Sequence, residues 1–290
     1  MTNSPSTRTL EVPGVVLTYD VREPENGNGE PPLMMVGSPM SARGFATLAG
    51  HFPDRTVITY DPRGVERSER TDDANTSTPE QHGDDLHRII EAVGRGPVDL
   101  FAGSGGAVNA LALVARHPGQ VRTLVAHEPP LAKVLPDSEE AMAAVKSIGD
   151  AYQRDGFGSG MTKFIALTNM PGPIPADFAD QPAPGPETFG FPAGDDGKRD
   201  DALLSQNLVS CTHYEPDFDA LRAAPTRIVV GIGAESEGLM AYRGGVGLAE
   251  RLSIEPTVFP SHHGGYLGGE FGAPGDPEGF AAALRESLAD

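Results

Sequence analysis

VDLFAGSGGAVNALALVARHP, residues 98–118, changes its hydrophobic period halfway along. The first part, VDLFA, reads as a buried β-strand, and from Gly106 onward the apolar residues recur at helical spacing. Between the two stand Gly103, Ser104, Gly105 and Gly106. An ordinary strand-to-helix connection needs one glycine, not a cluster around a serine. A serine held on a sharp strand-to-helix turn has a strained backbone, and the residues two before and two after it must be small. Here they are Ala102 and Gly106. The turn opens a helix, whose first amides favour negative charge nearby. Ser104 is therefore a candidate nucleophile. Two plainer readings stand beside it. A phosphate loop would need GxGxxG or GxxxxGK[ST], and neither pattern is present. A tight turn with an incidental serine needs nothing more.

The rest of the chain repeats this strand-then-helix rhythm. Residues 32–38, 55–61, 98–104, 121–128, 226–233 and 254–260 are apolar on both faces or nearly so, as in a sheet covered on both sides. Helical patterns occupy 42–52, 77–94, 106–118, 238–252 and 276–290. An opening hairpin is expected around Pro13-Gly14. The expected fold is α/β, a doubly wound, mostly parallel sheet. The alternation stops between about 132 and 221, where helical patterns at 137–155, 160–169 and 198–214 flank a Pro/Gly-rich run at 170–197. This predicts a core made of 1–131 and 222–290 with a helical cap, 132–221, inserted into it. The run 170–197 is expected to border the entrance to the site.

Composition sets outer limits. With 290 residues, 38% of them hydrophobic, the chain can bury one large α/β core with an appended unit. A formal net charge of -19 argues against nucleic acid and against anionic membrane surfaces as partners. The single cysteine, Cys211, allows no intrachain disulfide and no cysteine-rich zinc site, and is expected to pack as a small apolar residue. The first residues, MTNSPSTRTLEVPG, show neither a basic start nor an apolar run, so a soluble cytoplasmic protein is expected. No metal and no organic cofactor is expected, and the anticipated partner is a small-molecule substrate.

Four segments, in order, resemble the α/β-hydrolase superfamily. MMVGSPMSARGF resembles the loop after its third strand, and VITYDPRGVERSER its D-x-R-G-x-G-x-S segment, with Glu66 where the second glycine usually sits. FAGSGG resembles the nucleophile elbow, and VFPSHHGGYLG the late histidine loop. The resemblance spans nearly the whole chain except residues 132–221.

The resemblance implies a base, an acid and an oxyanion site. The base falls on His263, which precedes Gly264-Gly265; His262 is the alternative. The acid departs from the family pattern: its usual position holds Ser236, which has no charge to stabilise an imidazolium. Two carboxylates are left. Glu128 follows the strand 121–128 and is braced by Pro129-Pro130, and Glu235 adjoins Ser236. Glu128 is preferred, with Glu235 kept open. The oxyanion amides implied are those of Ser38 and Gly105, since Pro39 has no N–H. Val36 stands where many relatives have histidine. Of the remaining histidines, His82 and His87 are expected on a surface helix, His51 and His117 at helix ends, and His127 and His213 receive no role.

The expected activity is that of a serine hydrolase acting on a carboxylic ester, or on an amide or lactone, through an acyl-enzyme on Ser104. The competitors are a cofactor-free oxygenase, an acyltransferase or perhydrolase, and a non-catalytic ligand-binding protein for which Ser236 is the only support.

Overall fold

The computed structural model describes residues 4–192, 194–272 and 274–289. An antiparallel hairpin, β1 (Ser6–Val12) and β2 (Val15–Arg22), opens the chain, turning at Pro13-Gly14. Next come β3 (Leu33–Val36), α1 (Ala46–Gly50), β4 (Val57–Asp61), the short β5 (Glu69–Arg70) and α2 (Pro79–Val93). The quoted stretch forms β6 (Val98–Gly103) and α3 (Gly105–Arg116), followed by β7 (Val121–His127). Then come α4 (Ser138–Asp155), α5 (Phe157–Thr168), a π-helical turn (Ala202–Asn207), α6 (Leu208–Thr212) and α7 (Phe218–Ala223). The chain closes with β8 (Arg227–Gly233), α8 (Met240–Leu252), β9 (Thr257–Phe259) and α9 (Pro277–Ala289).

The strands form one sheet in the order β1-β2-β4-β3-β6-β7-β8-β9, with β5 against β2. Pairing is antiparallel at the hairpin end and parallel from β4 through to β9. Alternate residues of one strand feed opposite faces, which is why these strands read as continuous apolar runs. Met34, Val36, Leu100 and Ala102 join a core with Leu86 and Ile89 of α2, most of α3 and Leu248 of α8. Leu33, Met35 and Phe101 join a second core with Leu48 of α1 and Phe280 and Leu284 of α9. Both faces are thus covered, and the C-terminal ends of the parallel strands come together along one edge.

The segment between β7 and β8 contains no strand among its described residues and has a smaller apolar core of its own. Ala141, Ile148, Tyr152, Leu167, Phe178 and Leu204 pack there with Met240 of α8. Two details differ from the sequence-based expectation. Residues 198–214 do not form one helix. The Asp201 carboxylate accepts from the N–H groups of Leu203 and Leu204 and starts the turn late, and the Asn207 side-chain N–H takes the Ala202 carbonyl within a π turn. Helix α7 straddles residue 221, the expected end of the insertion, because Phe218 and Leu221 pack into the main core.

The segment 61–68 acts as a brace. Asp61 accepts from the Ala42 N–H at 3.0 Å and so holds the loop after β3, and Arg63 forms a two-point pair with Asp85 of α2, both contacts 2.8 Å. Glu66 has a φ of 44°, the left-handed geometry for which glycine is the ordinary choice. Among the described residues, no helix is long and apolar enough to cross a membrane.

Candidate active site

Ser104 stands between β6 and α3 with φ 55° and ψ -128°, a strained conformation for any residue with a Cβ. Its N–H donates to the His127 carbonyl at 2.9 Å, and its carbonyl accepts from Ala107 at 3.0 Å. The glycines after it are required by close approach. A Cβ on Gly105 would lie 2.6 Å from the Ser38 carbonyl oxygen, and one on Gly106 would lie 2.6 Å from that of Val36. The loop after β3 is thereby pressed onto the start of α3. Among the described residues, neither the Ser38 N–H nor the Gly105 N–H donates to another group.

The next strand ends in the same way. Glu128 follows β7 with a φ of 46°, and its N–H donates to the Gly231 carbonyl of β8 at 2.9 Å. Its carboxylate is fully buried and spans two neighbours: Oε1 accepts from the Gly233 N–H at 2.8 Å, and Oε2 lies 2.6 Å from His263 Nδ1. Burial by itself raises the carboxyl's pKa. The His263 hydrogen bond, the charges of His263 and His127, and the Gly233 N–H together outweigh it and leave the carboxyl below its ordinary value. With Nδ1 donating to the carboxylate, His263 keeps Nε2 as an acceptor, and no described residue occupies it.

The other candidates lie elsewhere. Glu235 is exposed, and its backbone N–H is tied to the Ser261 carbonyl. Ser236 is fully buried, and its hydroxyl has no partner among the described residues. His262 lines the same cavity as His263, but its ring is held by backbone: Nδ1 accepts from Gly264 at 3.1 Å, and Nε2 faces the Pro274 carbonyl at 3.4 Å.

Ser38, Ser104, Gly105, Glu128 and His263 line one cavity of about 410 Å³. Its wall is mainly apolar, built from Val145, Phe164, Leu167, Leu203, Leu208 and Met240, and no lysine or arginine contributes. The insertion therefore forms much of the wall, but through α4, α5 and residues 203–212. No described residue of 170–197 is among its lining side chains. The reason is that Ile174 and Phe178 of this run turn inward, into the insertion's own core. Cys211 lines the cavity as well, but burial pushes its thiol up to about 12, so it remains protonated.

Two histidines were misjudged or left unassigned in the sequence. His82, expected on a surface, is fully buried, and its Nε2 meets the Asn207 Oδ1 at 2.8 Å. His127 is enclosed by Phe101, Phe259, Tyr266 and Phe280, and neither ring nitrogen has a partner among the described residues. Burial lowers its pKa to about 4, opposed by Glu128 and helped by His263. Asn207 escaped notice because no motif marks it and it lies outside the segments that carried the resemblance. No group of three or more His, Cys, Asp or Glu among the described residues is arranged to hold a metal ion.

Known proteins agree with this arrangement at the level of fold and broad class. Residues 32–178 match the family model described as alpha/beta hydrolase fold. A Bacillus subtilis (strain 168) protein named "Uncharacterized hydrolase YraK" is 30% identical over 263 residues, 89% of each chain. Among solved structures, a thermophilic esterase from Thermogutta terrifontis superposes with a TM-score of 0.66 at 19% identity, over 99% of this chain and 98% of that one. The proline iminopeptidase of Mycobacterium smegmatis gives 0.64 at 19% identity, over 98% of each chain.

Proposed function

The chain belongs to the α/β-hydrolase fold family, and from that premise we propose that it is a serine hydrolase that cleaves a carboxylic ester through an acyl-enzyme on Ser104. One observation carries the proposal. The buried Glu128 carboxylate holds His263 Nδ1 at 2.6 Å, which leaves Nε2 free in the cavity that Ser104 also lines.

The chemistry follows from these positions. His263 Nε2 takes the Ser104 proton as Oγ attacks the ester carbonyl, and Glu128 stabilises the imidazolium that forms. The negative charge on the carbonyl oxygen falls between the Ser38 and Gly105 amides, beside the N-terminus of α3. His263 then returns the proton to the departing alcohol. In the second half-reaction, Nε2 deprotonates a water that attacks the acyl carbonyl, and His263 passes that proton to Ser104 Oγ as the acid leaves. The apolar wall without a cation favours an uncharged ester with a hydrophobic group, and the negatively charged protein repels anionic substrates. The insertion acts as the cap that shapes this pocket. The binding-protein reading drew on Ser236 alone, and Glu128 beside His263 offers the carboxylate that Ser236 lacks.

A fluorophosphonate probe should label Ser104, and the protein should hydrolyse a p-nitrophenyl ester, with both signals lost in Ser104→Ala. A folded wild-type protein that neither labels nor hydrolyses overturns the proposal. Faster turnover with an added alcohol or hydrogen peroxide than with water moves the assignment to an acyltransferase or perhydrolase.

A further inference from the structure

Three separate parts of the chain meet at Asn207. Its Oδ1 accepts from the Ser38 hydroxyl at 3.2 Å and lies 2.8 Å from His82 Nε2, while its Nδ2 donates to the Ala202 carbonyl at 2.7 Å. All three side chains that meet at Oδ1 are buried. The Ala202 carbonyl fixes the amide's orientation, because the flipped amide would set oxygen against oxygen. Oδ1 only accepts, so both of its partners must donate. His82 therefore carries its proton on Nε2, and its Nδ1 has no partner among the described residues. Burial lowers the His82 pKa to about 3, which keeps the ring neutral.

The Ser38 hydroxyl is thus committed to Asn207. Meanwhile the Ser38 backbone is pressed against Gly105, and the next residue, Pro39, has no N–H to offer. The turn that carries Asn207 is itself anchored to the core: the Ser77 N–H donates to the Gln206 carbonyl, and Arg70 reaches the Gln206 side chain at 3.1 Å. We infer that Asn207 is a positioning residue for the oxyanion site, holding Ser38 by its hydroxyl so that the Ser38 and Gly105 N–H groups point at one place. The inference rests on the ester-hydrolase reading above. It makes the oxyanion site depend on the insertion, since Asn207 is supplied from the π turn between β7 and β8.

A donor aimed at the oxyanion matters most in the transition state, so misplacing it lowers kcat more than it changes KM. The test is a double-mutant cycle with Ser38→Ala, which keeps the backbone N–H, and the isosteric Asn207→Leu. Each single change should lower kcat for a p-nitrophenyl ester about 10- to 100-fold, with KM within about twofold of wild type. If Asn207 acts through the Ser38 hydroxyl, the double variant is no slower than the slower of the two single variants. Asn207→Ala takes the place of Asn207→Leu in the cycle should the leucine variant not fold. Multiplying losses in the double variant, or a rise in KM with kcat intact, overturns the inference while the ester reading stands. A wild-type protein with neither turnover nor probe labelling overturns both.

Discussion

The ends of β7 and β8 lie side by side, paired in register from Thr123 with Arg227 to His127 with Gly231. They treat their polar residues in opposite ways. At the end of β7, Glu128 is buried, strained and hydrogen-bonded through both carboxylate oxygens. Past the end of β8, Glu235 faces solvent, and Ser236 is buried with a hydroxyl that bonds to nothing described. Yet the two loops converge. A Cβ placed on Gly233 would lie 3.0 Å from Ser236 Oγ and 3.1 Å from Glu128 Oε1. On the proposed mechanism the imidazole needs a carboxylate at a point in space, and adjacent parallel strands give two routes to that point from residues more than 100 apart in the chain.

The sharpest way to break this contrast is Glu128→Gln. The amide keeps the shape but cannot hold the imidazolium or fix the Nδ1–H tautomer, and kcat should fall about 10⁴-fold, the size of the Asp→Asn effect in the chymotrypsin-type triad. An intact kcat in steady-state ester hydrolysis would show that His263 works without its partner. The second test moves the carboxylate across. In the Glu128→Gln background, Ser236→Asp should raise kcat about 10-fold over Glu128→Gln alone, because the two positions share one neighbourhood. No recovery would mean that the β8 loop cannot aim a carboxylate at His263.

The β7 end should also carry a cost that β8 does not. His127 stays neutral in the folded protein down to about pH 4, whereas the unfolded imidazole takes up its proton near 6.5. Unfolding therefore binds a proton within that window, and stability falls as pH drops from about 6.5 to about 4. The loss should reach about 3 kcal/mol at most, since a tenfold change in proton affinity is worth about 1.4 kcal/mol. Urea midpoints across this range should fall less steeply in His127→Leu, with His82 accounting for part of the slope that remains. Equal slopes would mean that water or a local opening solvates His127. The smallest effect is expected on the exposed side of the comparison. Glu235→Gln should change kcat by no more than about twofold, as for a solvent-facing surface charge, and a crippling loss would place the acid on the β8 loop.

The amino-acid sequence determined the parts of this protein that follow from local rules. The break in period inside 98–118 marks the β6–α3 turn, because strand and helix periods are written into neighbouring residues and the glycines report a close approach. The alternation of strands and helices was legible for the same reason, as was the turn at Ser104, whereas the histidine loop was marked by its resemblance to the family. The sequence narrowed the candidate acid to two carboxylates and favoured Glu128 over Glu235, but it left both open, because the choice depends on which side chain turns inward from adjacent strand ends. Only the packed structure sets Glu128 Oε2 against His263 Nδ1, ties the His262 ring to backbone, and buries His82 beneath the insertion. Asn207 was invisible for a stronger reason. Its three partners come from positions 38, 82 and 202, and no local pattern records a contact that forms only when the insertion folds back over the core.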